Sequence, residues 1–372
     1  MRVILRQGAA LLACLALLYI GLLGLTLSFA HRPNQEPGLD ASLGNSIFRT
    51  EPKYIYLNRT PLRDSSEKIV LLGASNVDAG FNLTELRTLL HATATVHKLA
   101  IGGANLTEVR EVIDLVQQVQ SEEARRHEIC VLGIWYGMFG EDRLRWYSPD
   151  RSPGDTDIDI ERYRYGFEWR TARGPITLVP WYYIDVAVTA IYPFLFLDQL
   201  SRDSLEWLSD KYHAQPKDLD TVVMTEDERG RMMNYWTGIM GPTRLSTFDE
   251  QFTVLEQSGD LILAEGSRLI LVDLPLPKWH KQRSPYQSYY EDRRTQEMKR
   301  WMGRPGFVFL DMTDLDSDAD FYDEVHPRPR VTVSWARRLA GALSPLLSPN
   351  GAVAGAVAGA VSGGPLQGSR VP

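Results

Sequence analysis

The chain has few cysteines and no concentrated positive charge, and both shortages narrow its function. Only Cys14 and Cys130 occur among 372 residues, so neither a disulfide framework nor a zinc motif built from several cysteines can form. The formal net charge is −7, and no run rich in Lys and Arg occurs. Because a nucleic-acid surface needs clustered basic residues to neutralise phosphates, we predict no nucleic-acid partner.

A bound metal ion is suggested only by a run of alternate aspartates, Asp314-Leu-Asp316-Ser-Asp318-Ala-Asp320. A calcium loop of the EF-hand type needs Gly at its sixth position and Glu at its twelfth. This chain has Ala319 and Val325 at those positions. We therefore predict a solvated acidic loop, no metal site and no cofactor.

The amino terminus lacks charge over a long stretch. From Gln7 through Ala30 the chain is uncharged and almost wholly apolar, with Arg2 and Arg6 before it. Such a stretch is long enough to cross a bilayer as a helix. The positive-inside rule then predicts a single-pass anchor with the rest of the chain outside the cytoplasm.

Two alternatives to an uncleaved anchor remain open. Ser28-Phe29-Ala30 suits a signal-peptide cleavage site, although the apolar core of a signal peptide is normally only about 7–15 residues. Leu11-Leu12-Ala13-Cys14 resembles a lipoprotein processing site, although the apolar run continues beyond the cysteine.

Composition divides the chain into segments. We predict a membrane anchor or signal peptide, a linker, a catalytic domain with a large aromatic-rich insertion, and a low-complexity tail. The anchor or signal peptide covers residues 1–30 and the linker 31–67. The catalytic domain covers 68–347, with its insertion at about 138–246, and the tail covers 348–372.

Strand-like and helix-like patterns alternate through the domain. Short apolar runs predict strands at 69–72, 95–100, 129–134, 268–273 and 306–311. Helical spacing occupies 83–91, 106–120, 248–263, 289–302 and 331–347. This alternation predicts an α/β fold, with a mostly parallel sheet between two layers of helices.

Ser75 ends the first of these strands, in Ile69-Val-Leu-Leu-Gly-Ala-Ser75. Open α/β sheets bind their ligands along the carboxyl ends of the strands, so a serine there is well placed to be a nucleophile. A serine at such a position also suits a turn or a helix cap, and this segment alone does not decide between the roles.

Asp323 and His326 supply what a nucleophilic serine lacks. A serine hydroxyl needs a base within hydrogen-bond reach and a group that orients that base. Residues three apart on one turn of chain can place a carboxylate against an imidazole, hold its tautomer and stabilise the imidazolium. Pro327 then ends the turn before the last predicted helix.

These motifs together resemble the SGNH, or GDSL-type, hydrolases. The matching positions are Gly73-x-Ser75, Gly103 after the second strand, and Asp323-x-x-His326 before the last helix. The resemblance implies a flavodoxin-like three-layer sheet. It also implies that Ser75 attacks an ester, that His326 is the base oriented by Asp323, and that the backbone N–H groups of Ser75 and Gly103 hold the oxyanion.

One motif departs from the family. Its third block, Gly-x-Asn-Asp, is replaced here by Gly133-Ile-Trp135-Tyr136, so the asparagine that binds the oxyanion is missing. Loss of one such donor typically lowers the rate by about 10²–10³. Asn105 or the Tyr136 hydroxyl can replace it, while Asn105 also suits the cap of the following helix.

A similar loss occurs in branches that resemble the membrane-anchored DltD and alginate-acetylation-type proteins. Those proteins handle acyl groups on polymers of the cell envelope. The resemblance therefore implies a bacterial inner-membrane protein whose domain lies in the periplasm. Its partners would be an acylated carbohydrate polymer and a membrane-bound acyltransferase.

Aromatic residues at the predicted active edge are candidates for a substrate pocket. Trp135 and Tyr136 follow the third strand, and Trp279 with His280 follows the fourth. Plain packing explains the last pair equally well. Histidines such as His97 are isolated in sequence, which indicates core or surface positions.

The aromatic-rich insertion contains an apolar segment, 175–197, that raises the question of a second membrane span. Pro180 and Asp185 interrupt it, and a second crossing would leave Ser75 and His326 on opposite sides of the bilayer. We therefore predict a buried helix, a lid or a segment lying on the membrane interface.

Three functional hypotheses follow. The first is an O-acyl esterase or acyltransferase, with acetyl as a candidate group, acting on an envelope or exported polysaccharide. The second is a non-catalytic relative that uses the cleft to bind glycan or to dock a partner in acylation or export. The third, which the 175–197 segment motivates, is a lipid esterase or thioesterase at the membrane surface.

Overall fold

The structure is a computed structural model. It describes residues 2–28, 55, 59–90, 93–140, 218–239 and 244–347, together with 168–169, 177–178 and the single positions 183, 186, 190 and 193. Contacts divide the chain into one unit of residues 1–61 and 147–217 and a second of residues 62–146 and 218–372. The linker to residue 54, most of the insertion and the tail beyond residue 347 lie outside the described residues.

The first unit contains the apolar helix Arg2–Ser28. Its segment Arg2–Leu25, 24 residues, is the one described helix that is long and apolar enough to cross a membrane. A signal sequence near the amino terminus passes the same test of length and apolar composition, so this helix does not decide between a retained anchor and a cleaved segment. Two residues each of Glu168–Trp169 and Thr177–Leu178 pair antiparallel in the same unit.

The second unit contains a parallel sheet of five strands within the described residues. The strands are β1 (Lys68–Ala74), β2 (Thr95–Ile101), β3 (Glu128–Ile134), β4 (Arg268–Asp273) and β5 (Phe307–Asp311). Their order is β2-β1-β3-β4-β5, and every neighbouring pair is parallel. This is the flavodoxin-like order. The chain adds β2 on one side of β1 and then adds β3 and the later strands on the other side, so the strand order reverses between β1 and β3. The predicted α/β fold is confirmed.

The central strands β1 and β3 are buried along their whole length. Strands covered by helices on both faces read as continuous apolar runs, and β1 and β3 read in that way apart from their first residues. Those residues, Lys68 and Glu128, are register partners. Burial lowers the pKa of Lys68 and raises the pKa of Glu128, so this end of the sheet holds a buried ionisable pair far from the carboxyl ends of the strands.

Helices cover both faces of the sheet. Helix Leu106–Val119 packs against Arg244–Ala264, which also contacts Gln287–Trp301. Helix Pro329–Leu347 packs against Ser75–Gly80 and Leu83–Leu89. Apart from the amino-terminal helix, the other described α-helices are Arg59–Arg63, Glu122–Arg126, Glu226–Ile239 and Lys278–Arg283.

All five predicted strands and all five predicted helices of the domain form, with ends that shift by a few residues. The largest shift is the start of the third predicted helix, 248–263, which begins four residues earlier than predicted, at Arg244. Helix Ser75–Gly80 was not predicted as a separate element. Its Gly80 lies against the Trp335 ring, and a Cβ there would approach that ring to 2.5 Å, so glycine permits the close approach of the two helices.

Candidate active site

Ser75 lies at the carboxyl end of β1, beside the point where the strand order reverses. In doubly wound sheets this is where ligands bind. Ser75 is also the first residue of helix Ser75–Gly80, where a backbone N–H has no partner within the helix. Its side chain is half-buried. The hydroxyl is therefore held on a rigid element while it remains accessible.

Gly73 makes the turn from strand to Ser75 possible. Its φ of +146° is a conformation that residues with a Cβ rarely adopt. An added Cβ would also lie 2.4 Å from Val77 Cγ2 and 2.8 Å from the carbonyl oxygen of Gly133. Glycine in the Gly73-x-Ser75 motif thus allows β1, β3 and the following helix to meet closely at the site.

Gly73→Ala is expected to destabilise the protein by about 2–5 kcal/mol, because backbone strain and overpacking each cost about 1–3 kcal/mol. Denaturant unfolding of the purified protein measures the change. Gly341→Ala is the matched control, since Gly341 is exposed in helix Pro329–Leu347 with no atom within 4 Å of an added Cβ. Equal stability of the two variants would contradict the assigned role of Gly73.

Ser75, His326 and Asp323 form a continuous hydrogen-bonded chain. His326 Nε2 lies 2.8 Å from Ser75 Oγ, and His326 Nδ1 lies 2.7 Å from Asp323 Oδ2. Because a carboxylate only accepts, Nδ1 carries the proton and Nε2 presents its lone pair to the serine hydroxyl. The structure thus brings together the three residues that the sequence singled out, 251 positions apart in the case of Ser75 and His326.

The Asp-x-x-His spacing has a local explanation. Asp323 Oδ1 accepts hydrogen bonds from the backbone N–H groups of Val325 at 3.0 Å and His326 at 2.7 Å. A carboxylate that bonds the backbone two and three residues later folds its own segment into a tight turn. The same carboxylate leaves Oδ2 to orient the imidazole. With this spacing one side chain both shapes the turn and holds the ring.

The environment of His326 favours its protonated form. Burial works to lower the pKa of His326, but the hydrogen bond and charge of Asp323, with the charges of Glu324 and Asp78, outweigh it and raise that pKa above the ordinary 6.5. A raised pKa makes the imidazole a stronger base for the serine proton.

Tyr322 lies beside the base and was not identified from the sequence. Its ring is stacked on the His326 ring, with centroids 5.7 Å apart and planes 12° apart. Its backbone N–H also donates to the carbonyl of His326 at 3.1 Å. An aromatic face against an imidazole stabilises a positive charge on that ring. Nothing in the sequence distinguished Tyr322 from the other aromatic residues of the domain.

Gly103 and Asn105 follow β2, which is the neighbour of β1 in the sheet. Gly103 has φ +72°, is exposed, and no described group accepts from its backbone N–H. Asn105 caps helix Leu106–Val119, with Oδ1 accepting from Glu108 N–H at 3.2 Å. The cap uses the side-chain oxygen. Among the described residues no group accepts a hydrogen bond from Nδ2, so this donor remains available. Capping and oxyanion binding are therefore compatible roles for Asn105.

Trp135 and Tyr136 follow β3 and lie in the interior, with 4% and 0% of their surface exposed. The Trp135 ring packs edge-on against Tyr136 and Trp236. The Tyr136 hydroxyl hydrogen-bonds His280, so it already has a partner. The role of these two side chains in a substrate pocket stays a prediction.

Trp279 is also buried, with 5% exposed. The guanidinium groups of Arg229 and Arg283 lie over its ring, at 5.2 Å and 5.8 Å from the ring centroid. Both arginines pair with Glu226. These contacts hold helix Glu226–Ile239 against Lys278–Arg283, and the predicted pocket role of Trp279 is untested.

Carboxylates of the aspartate run bind protein groups. Asp316 Oδ2 accepts from Lys281 Nζ at 2.6 Å, and Asp318 Oδ1 accepts from the backbone N–H of Trp279 at 3.1 Å. Asp314 pairs with Arg338. The described residues contain no group of three His, Cys, Asp or Glu side chains arranged to hold a metal ion.

Comparison with known proteins gives little direct guidance. No protein-family model matches the chain, and no curated protein matches it. Among solved structures, the chain is similar to a "putative acylhydrolase" from Bacteroides fragilis NCTC 9343, at 11% identity and a TM-score of 0.37. That similarity covers 79% of this chain and 96% of the other. A likeness at this level assigns no function to the chain.

Proposed function

We propose that this protein is a serine-dependent acyl hydrolase or acyltransferase of the SGNH type. The observation that carries the proposal is the chain of hydrogen bonds from Ser75 through His326 to Asp323, at 2.8 Å and 2.7 Å. Its position at the carboxyl end of β1, beside the point where the strand order reverses, supports the same reaction class.

The geometry supports a two-step reaction. His326 Nε2 removes the proton of Ser75 Oγ as this oxygen attacks the acyl carbon of an ester, and Asp323 stabilises the imidazolium that forms. N–H groups of Ser75 and Gly103 and the Asn105 amide hold the developing oxyanion. His326 then protonates the departing alcohol. Water or a second hydroxyl, deprotonated by His326, attacks the acyl-enzyme and releases Ser75.

Labelling by a fluorophosphonate tests this proposal directly. Such a probe phosphonylates only an activated serine, so we expect mass spectrometry to find the adduct on the Ser75 peptide of the full-length protein in detergent. Peptides with other serines serve as internal controls. An unlabelled Ser75 in folded protein would contradict the catalytic proposal and favour the non-catalytic, glycan-binding alternative.

The proposed substrate is an O-acylated, and in the simplest case O-acetylated, carbohydrate polymer outside the cytoplasm. The apolar helix Arg2–Ser28 carries Arg2 and Arg6 at its amino-terminal end. This charge pattern supports anchoring in the inner membrane with the domain in the periplasm. Resemblance to envelope-acylating proteins supports the polymer. Turnover of acetylated sugar esters, of lysophospholipid and of thioesters is compared in one assay. Preference for the sugar esters supports this proposal, and preference for either of the others supports a lipid esterase or a thioesterase.

Hydrolysis and transfer share the acyl-enzyme and differ in the group that attacks it. Adding an unacylated oligosaccharide to the ester assay distinguishes them. Transfer predicts acylated oligosaccharide and a smaller yield of free acid at unchanged total turnover, whereas hydrolysis predicts that free acid accounts for all turnover.

Asn105→Asp is expected to lower kcat by about 10²–10³, the typical cost of losing one oxyanion donor. Aspartate keeps an oxygen for the Glu108 N–H and so preserves the helix cap, while it loses the Nδ2 donor. Steady-state ester hydrolysis and denaturant unfolding measure the two effects separately.

Asn82→Asp provides the matched control. Asn82 is exposed and caps helix Leu83–Leu89 in the same way, with Oδ1 accepting from Glu85 N–H at 3.0 Å. We expect this change to leave kcat as it is. If Asn105→Asp also left kcat unaltered, Asn105 would be a cap only.

A further inference from the structure

Tyr136 and His280 form a buried hydrogen-bonded pair that neither the triad nor the oxyanion donors include. Both side chains are fully buried, the Tyr136 hydroxyl bonds His280 Nε2, and His280 Nδ1 lies 2.6 Å from the carbonyl oxygen of Glu324. A carbonyl only accepts, so Nδ1 carries the proton and Nε2 accepts from the tyrosine. Burial lowers the pKa of His280 to about 4, which keeps the ring neutral.

The hydrogen bonds from Tyr136 to His280 and from His280 onward end on a peptide group of the turn between Asp323 and His326. The carbonyl of Glu324 and the N–H of Val325 belong to one planar peptide unit. His280 binds the oxygen of this unit, and Asp323 Oδ1 accepts from its N–H at 3.0 Å. The plane is thus held from both ends. If the His280 bond were lost, the plane could rotate, and the carboxylate that orients His326 would lose a fixed partner.

The helix that carries His280 also binds the residues just before the turn between Asp323 and His326. Trp279 N–H binds Asp318 and Lys281 Nζ binds Asp316, at 3.1 Å and 2.6 Å. Helix Lys278–Arg283 therefore contacts residues 316, 318 and 324 of this segment. Of these, only the His280 contact reaches the turn between Asp323 and His326.

We propose that His280, held in one tautomer by Tyr136, is a positioning residue that fixes the Glu324–Val325 peptide and thereby the alignment of Asp323 and His326 with Ser75. The inference rests on the proposed function of that site. It assigns a role to Tyr136, which stands within the block where the SGNH family has its oxyanion motif. This tyrosine acts on the catalytic base through His280 and the Glu324–Val325 peptide.

Two substitutions of His280 separate positioning from general stability. His280→Asn places an amide N–H near the position of Nδ1 and keeps the donor to Glu324, while it loses the bond to Tyr136. His280→Gln reaches toward Tyr136 and loses the donor to Glu324. Each variant loses one buried hydrogen bond, so similar destabilisation is expected. A third variant, His97→Gln, alters another buried histidine, in β2, whose pKa burial also lowers to about 4.

The measurements are kcat and KM for a short acyl ester and the rate of fluorophosphonate labelling of Ser75 against pH. We expect His280→Gln to lower kcat and the labelling rate roughly 10- to 100-fold with KM nearly unchanged, as small misalignments of reacting groups do. His280→Asn is expected to retain rates within about threefold of the wild type. The acid limb of the His280→Gln profile should move to lower pH, because a loosened Asp323 raises the pKa of His326 less.

The outcomes are distinct. Equal rates and equal acid limbs for His280→Gln and His280→Asn would overturn the positioning role, as would an equal loss in His97→Gln. If His280→Gln does not fold, Tyr136→Phe takes its place, and unchanged kcat and acid limb in that variant would overturn the role of the pair. Failure of wild-type Ser75 to label at all would instead overturn the proposed function, and this inference with it.

Discussion

Ser75→Ala is expected to lower kcat/KM for ester substrates by about 10⁴–10⁶, the range seen when the nucleophile of a serine triad is removed. The substitution removes the atom that forms the acyl-enzyme and leaves His326 without its proton donor. The residual rate would come from the oxyanion donors alone. Loss of fluorophosphonate labelling at the Ser75 peptide and loss of ester turnover are the two measurements.

Stability separates this effect from misfolding. Among the described residues the Ser75 side chain hydrogen-bonds only His326, so Ser75→Ala is expected to change the free energy of unfolding by only about 1 kcal/mol. Ser258→Ala is the control, since Ser258 is a buried serine whose hydroxyl bonds the Val254 carbonyl within one helix. Turnover that persisted in Ser75→Ala would move the protein to the non-catalytic hypothesis.

Asp323→Asn is expected to reduce kcat by about 10⁴, because an amide in place of the carboxylate no longer holds the base in its reactive tautomer. The same change removes the charge that raises the pKa of His326. In the wild type the neutral imidazole is the active form, so kcat/KM should rise with pH through an apparent pKa above 6.5. In Asp323→Asn this limb should lie at lower pH.

The contribution of His326 to folding stability should fall as pH rises, whereas kcat/KM rises. The folded pKa of His326 is raised above its ordinary value, so its contribution to stability is full below pH 6.5 and is lost as pH rises through the folded pKa. The stability difference between wild type and Asp323→Asn should therefore shrink with rising pH. Asp314→Asn, which neutralises an exposed carboxylate paired with Arg338, should leave the acid limb in place. Identical limbs in wild type and Asp323→Asn would contradict the role of Asp323.

The elements that could be predicted from the sequence are those with strong periodic patterns. Strand β3 is a buried apolar run, and helix Leu106–Val119 has one apolar face with Asn105 at its cap. The short helices Ser75–Gly80 and Lys278–Arg283 were missed, because six residues carry too little periodicity to be recognised. Tertiary contacts rather than local propensity set these elements.

The histidines show the same division. His326 was identified because Asp323 and Pro327 flank it in a recognisable turn. His280 was noted only as the neighbour of Trp279, and its partners, Tyr136 and the carbonyl of Glu324, lie 144 and 44 residues away. A backbone carbonyl leaves no sign in a sequence. Its contact with His280 therefore could be found only in the folded protein.

By itself the sequence determined the α/β alternation, an apolar amino-terminal helix and a serine, glycine and Asp-His pair at predicted strand ends, because periodicity and short motifs are local properties. Tertiary structure alone decided that Ser75 Oγ and His326 Nε2 meet at 2.8 Å. It also decided that the Asn105 cap leaves an amide donor free and that Tyr136 bonds a histidine. These facts depend on strand order and on packing between segments distant in sequence, which no local pattern encodes.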